Sequence, residues 1–167
     1  MASWTSNPTG NPRYYCDIEC KNPRTGDAFK NLCFTIPDVN VFSSGTENIT
    51  FSFWGVSLNG APCTITTQIL RNYGTGGSDP QIVPIQENLN LTIFGQQFTQ
   101  SIVLPNNASQ NIGTLNDDYI QIQLSLPTDQ LFHIGLCCFM LVDGQYISLS
   151  FVQETQQEII CRTLAGV

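Results

Sequence analysis

The feature that most constrains this chain is an alternation of apolar and polar residues with a period of two. Ile120, Ile122, Leu124 and Leu126 alternate with Gln121, Gln123 and Ser125. The same grammar recurs at Ile49, Phe51 and Phe53 around Thr50 and Ser52, and at Leu89, Leu91 and Ile93 around Asn90 and Thr92. It appears again at Ile147, Leu149 and Phe151 around Ser148 and Ser150. Successive side chains of a strand point to opposite faces, so each segment predicts a strand with one buried and one wet face. Residues 32–36, 63–70, 99–104, 136–142 and 158–164 are further strand candidates.

Turn signals separate these segments: Asn59-Gly60, the run from Tyr73 to Pro80, Pro105-Asn106-Asn107, and Asp143-Gly144. The last predicts a type I′ hairpin, because Asp-Gly reaches positive φ at little cost. No long stretch carries helical spacing. One turn of helix over residues 128–133, capped by Thr128, is the sole helical expectation. Eight or nine short strands without intervening helices predict an all-β fold, an antiparallel β-sandwich of the jelly-roll kind.

Residues 1–28 break the pattern. Pro8, Pro12, Pro23, Gly10 and Gly26 interrupt them, and proline and glycine at that density continue neither a helix nor a central strand. They read as an irregular N-terminal arm on a sandwich domain spanning 29–167. Trp4, Tyr14 and Tyr15 are the arm residues expected to pack on a partner.

Composition then narrows function. Asn, Gln, Ser and Thr make up 56 of 167 residues, whereas charged residues are only 11%, against roughly 25% in an average domain. The six Lys and Arg do not cluster and the net charge is -7. Phosphate backbones need clustered cations, so nucleic acid is excluded as a partner, and an anionic membrane surface repels the chain for the same reason. The longest apolar run, residues 134–142, falls well short of the ~20 residues of a spanning helix. The N-terminus carries neither a basic nor an apolar signal-peptide region, so no secretory leader is expected. The sequons at Asn48, Asn90 and Asn107 are what so much Asn, Ser and Thr produces by composition.

Catalytic and metal constellations are weak. His133 is the only histidine and sits among apolar neighbours, which suits a hydrogen-bonded strand residue better than a general base. Cys16-x3-Cys20 with Cys33 has permissible zinc spacing, but Cys137-Cys138 cannot complete it, since vicinal strand residues face opposite ways. Reduced packing cysteines are the leading reading, with one disulfide from Cys16 or Cys20 as the alternative. Asp117, Asp118, Asp129 and Asp143 lack calcium-loop spacing and read as turn formers. Gly74-Thr75-Gly76-Gly77 lacks the Lys and the helix of a phosphate loop. No enzyme, metal or cofactor is expected.

Two functions remain. The first is a structural assembly protein in a virion, such as a phage capsid decoration (cement) protein. It would self-associate as a homotrimer and contact other capsid proteins. Its support is the near-absence of Lys on the strands, which reads as a surface covered by subunits. The second is a carbohydrate-binding, lectin-like module on a fibre or adhesin. An aromatic platform and neutral donors would hold the sugar, with Trp54, Tyr73, Asp79, Asn107 and Asp118 as contacts. The first is the leading expectation.

Overall fold

The computed structural model describes residues 15–24, 26, 29–42 and 48–143. Eight strands follow in order: β1 (Cys16–Cys20), β2 (Asn31–Pro37), β3 (Asn48–Ser57), β4 (Cys63–Asn72), β5 (Gln81–Leu91), β6 (Gln96–Val103), β7 (Tyr119–Ser125) and β8 (Phe132–Asp143). They form two four-stranded antiparallel sheets, β1-β8-β3-β6 and β2-β7-β4-β5. Among the described residues there is no helix. The fold is an antiparallel β-sandwich of the jelly-roll kind, as the alternation predicts.

Alternation decides which side chains meet between the sheets. On β7, Ile120, Ile122 and Leu124 are buried; on β4, Cys63, Ile65, Thr67, Ile69 and Arg71 are buried while the intervening residues stay half-exposed. Five phenylalanines cluster in the core, with Phe34 reaching across the layers and Phe53 and Phe98 paired within one sheet. Phe34 of β2 lies 4.5 Å from Phe139 of β8, and Phe53 of β3 lies 5.2 Å from Phe98 of β6, centroid to centroid. Such tilted and offset pairs add about 0.5–1.5 kcal/mol each beyond the area they bury. Pro37 and Pro84 are tolerated because β2 and β5 are outermost in their sheet.

Three places differ from the sequence reading. Residues 128–133 form no helical turn: Phe132 and Ile134 point into the core with His133 between them, and period two wins. Lys30 Nζ donates to Thr128 O at 2.7 Å and holds the preceding loop. Within the segment read as an irregular arm, Cys16–Cys20 is an edge strand paired to β8. Its alternation, Ile18 and Cys20 half-buried against exposed Asp17 and Glu19, is only five residues long and is hidden among prolines and glycines. Third, β5 begins at Gln81 and not near Leu89. The strand expectations at 147–151 and 158–164, the Asp143-Gly144 hairpin, Trp4 and Tyr14 lie outside the described residues.

The core also holds a cation. Arg71 is fully buried, faces inward on β4, and has no carboxylate partner among the described residues. Its Nη2 donates to Phe42 O at 2.9 Å and its Nη1 to Pro105 O, tying two loops to the sheet end. Burial pushes its pKa down, opposed by the neighbouring Tyr73. Arg71→Ala should therefore cost about 3 kcal/mol or more, because two part-buried carbonyls lose their donor and a cavity opens. Arg71→Met refills the space and should cost less. Urea unfolding midpoints of the two variants check the order.

Candidate functional site

The two outer sheet faces differ in access. On the first sheet, outward residues Thr50, Ser52, Val56 and Cys137 of β3 and β8 are buried, whereas Trp54, His133, Met140 and Val142 are half-exposed. A Cβ at Gly135 would meet Val56 Cγ1 at 3.1 Å and the Tyr15 ring at 3.2 Å, so Tyr15 lies over Gly135 of its own sheet. On the second sheet, every outward residue of β4 (Thr64, Thr66, Gln68, Leu70 and Asn72) keeps solvent access, as do Tyr119, Gln121 and Ser125 of β7, while Gln123 between them is buried. The second face is the more open one.

Its register lays out rows across the strands. Thr35, Gln121, Leu70 and Ile82 stand side by side, and Cys33, Gln123, Gln68 and Pro84 form the next row. The amides are chained. Gln68 Nε2 donates to Gln123 Oε1 at 2.7 Å, Gln123 Nε2 to Gln121 Oε1 at 2.6 Å, and Gln121 Nε2 to Thr35 Oγ1 at 2.9 Å. Each amide thus has a fixed orientation, and chained hydrogen bonds polarise one another. The outward residues of these rows carry no charge. This surface offers donors and acceptors in alternation, the chemistry that matches hydroxyl groups.

At one end the face runs into a loop pocket of about 390 Å³, whose wall includes Asn72, Thr75, Ser78, Asp79, Asp117 and Tyr119. Asn72 and Tyr119 belong to both surfaces, joined by a 3.4 Å contact from Asn72 Nδ2 to Tyr119 OH. The pocket is built by a clasp of two loops. Thr75 N and Thr75 Oγ1 donate to the two oxygens of Asp117 at 2.9 and 2.6 Å. Gly113 N donates to Tyr73 O at 2.7 Å, and Ser78 N to Asn111 O at 2.8 Å. Gly77 is required, since a Cβ there would lie 2.2 Å from Tyr73 O. The glycine run therefore serves the clasp.

The residues singled out from sequence do not converge. Tyr73 is fully buried and its hydroxyl donates to Gln81 Oε1 at 3.2 Å. Asn107 is buried in the loop that meets Asn40. Asp118 accepts from Val39 N at 2.8 Å; its neighbour Asp117 lines the pocket instead. Trp54 is half-buried on the first sheet's outer face, and its indole N–H finds no acceptor among the described residues. Asp79 alone reaches the pocket. Sequence reasoning missed Thr35, Gln68, Gln121, Gln123, Asn72 and Tyr119. Their signal was present as the outward members of the alternating strands.

Other reactive groups stand apart. His133 Nε2 lies 2.6 Å from Asp17 Oδ1, across β1 and β8. Cys16 and Cys20 are on β1, whereas Cys33 is on β2 of the other sheet. Burial pushes the Cys137 thiol up to about 12 and that of Cys63 up to about 11.

No protein-family model matches the sequence, and no curated protein does. Among solved structures the chain is similar to one described as "CBM4 structure and function", a carbohydrate-binding module. The TM-score is 0.53 and the identity 21%, over 79% of this chain and 72% of that one. It is also similar to the CBM22-1 xylan-binding domain from Paenibacillus barcinonensis Xyn10C, with TM-score 0.45 and 13% identity over 86% of this chain and 92% of that one. At such identity the likeness establishes the fold. It also corrects the leading expectation of a capsid decoration protein, because the sandwich it matches is a carbohydrate-binding module and not a shell protein. The inference from low charge went astray for a physical reason. Neutral amides suit a ligand's hydroxyl groups as well as a subunit-covered surface, so low charge alone does not separate the two.

The clasp has a pH signature. Hydrogen bonds from Thr75 hold the Asp117 pKa below its ordinary value. A depressed folded pKa gives stabilisation that is present above the unfolded value and lost as pH falls through the folded one. The Thr75 amide should thus stay protected from hydrogen exchange at neutral pH and lose protection in acid below the ordinary Asp range. Asp117→Asn should remove that dependence.

Proposed function

We propose that the chain is a non-catalytic carbohydrate-binding domain that holds a neutral glycan on the open face of the β2-β7-β4-β5 sheet, with the loop pocket at its end. The observation that carries this reading is the fixed chain of neutral amides from Gln68 through Gln123 and Gln121 to Thr35, in which Gln68, Gln121 and Thr35 keep solvent access and Gln123 is the buried link that orients them. Sugar hydroxyls both donate and accept, so oriented amides and hydroxyls match them. Leu70 and Tyr119 offer apolar surface to the C–H face of a sugar ring. No Lys or Arg stands among the residues of these rows to draw a phosphorylated or sulfated ligand. In the pocket, the Asp79 and Asp117 carboxylates accept from hydroxyls and repel anions. The fold shared with a carbohydrate-binding module supports the same reading.

The test is titration of the chain against neutral and polyanionic polysaccharides. Neutral polymers should bind and polyanionic ones should not. Gln121→Ala and Gln68→Ala should each weaken binding by about five- to tenfold, the worth of one or two hydrogen bonds. Failure of every neutral polymer to bind would overturn the reading.

A further inference from the structure

The β5 edge of the same sheet, at the end away from the loop pocket, has the same chemistry at a different place. Among the described residues, strand β5 is the last of one sheet and β6 the last of the other. Between them lies a cleft of about 300 Å³ lined by Asn88, Asn90, Gln96, Gln97, Phe98 and Thr99, among others. That volume is at the lower end of ligand pockets, roughly 300–1,000 Å³. No lining residue is charged. Among the described residues each of these strands pairs on one side only, with β4 or with β3, so edge N–H and C=O groups stand beside the side-chain amides.

We infer that this cleft is a second glycan site, taking a short stretch of neutral sugar, so that one domain engages glycan at two separate places, the amide rows and the far β5 edge of the same sheet. The inference rests on the proposed sugar-binding function for its ligand class, but on different residues for its place.

Three local features build the cleft. First, the register of β4 with β5 shifts so that Ile65 faces Leu89 while Thr67 faces Gln86, which puts one extra residue in β5. Asn88 absorbs that bulge at φ 62°, a left-handed backbone that Asn tolerates better than most residues. Bulges at sheet edges re-aim side chains, and Asn88 lines the cleft. Second, Thr64 Oγ1 donates to Asn90 Oδ1 at 2.7 Å and Gln96 Nε2 donates to Asn90 O at 3.1 Å. These bonds fix Asn90 and leave its Nδ2 donor for a ligand. Third, Phe98, whose ring is held 5.2 Å from Phe53, supplies the apolar wall. An extended peptide could also add to an edge strand. The kink at Asn88 and the density of amides favour a polyhydroxylated ligand.

Two sites on one domain give avidity for a polymer that reaches both. The experiment uses the full chain with xylohexaose, cellohexaose and mannohexaose as probes, read by calorimetry and by NMR of the side-chain amides. At least one hexasaccharide should bind with a stoichiometry of two. The double variant Asn88→Gly, Gln96→Ala should lower it to one. Glycine keeps the left-handed backbone, and an unchanged thermal midpoint confirms folding. The Asn88, Asn90 and Gln96 amides should shift in the parent, and Gln121→Ala should leave those shifts in place. A stoichiometry of one, with shifts confined to Gln68, Gln121 and Gln123, overturns the second site and leaves the first. Binding of none of the three sugars overturns both. Cleft shifts produced by an extended peptide and by no sugar overturn the glycan assignment of the cleft alone.

Discussion

Everything at the open face depends on one constraint, the burial of the inward rows of the sheet that carries it. Ile120, Ile122 and Leu124 on β7 and Ile65 and Ile69 on β4 are removed from water almost completely. Each fully buried aliphatic side chain is worth about 1.5–3 kcal/mol. Because the strand period is two, that burial forces Gln121, Gln123, Gln68 and Thr66 outward. A slip of one residue would drive four polar groups into the core and expose the isoleucines, so the register is strongly specified. The amide chain is therefore positioned by the core beneath it. Its hydrogen bonds then fix the rotamers that backbone register leaves free.

The interior also carries polar groups, and they share a role. Thr67 Oγ1 donates to Gln100 Oε1 at 2.7 Å between the sheets, and Arg71 reaches the carbonyls of Phe42 and Pro105 at the sheet end. Thr67 Oγ1 and both Arg71 Nη groups meet acceptors that would otherwise lose their hydrogen bonds to water without return, while Arg71 Nε finds no acceptor among the described residues. These bonds join the sheets and loops at defined points, whereas apolar contacts alone tolerate sliding. The loop pocket inherits its shape from the end where Arg71 holds those loops and the Thr75–Asp117 clasp closes the others.

Much of the fold was legible in the sequence. Seven of the eight strands announce themselves through alternation or β-rich runs, and the sandwich follows from their number and spacing. Strand β1 was not legible, because five residues of alternation among prolines and glycines look like an arm. Arg71 was not legible either, since nothing local to Leu70-Arg71-Asn72 says that carbonyls from 29 and 34 residues away will receive its guanidinium. The site was half legible. Asp79 and the loops around it stood out as turn residues, but Tyr73 looked like a loop aromatic and is core. The outward glutamines were noticed as wet strand faces and then assigned to subunit packing. Sequence shows that a face is neutral. Only the three-dimensional arrangement shows which outward residues are covered and which keep solvent access.

The most direct measurement is a structure of the chain with a neutral oligosaccharide bound at saturation. The expected result places sugar hydroxyls within hydrogen-bonding distance of Gln68, Gln121 and Thr35, with a ring against Leu70 or Tyr119. Sugar seated only on the first sheet's outer face around Trp54, or no sugar at all, would contradict the assignment.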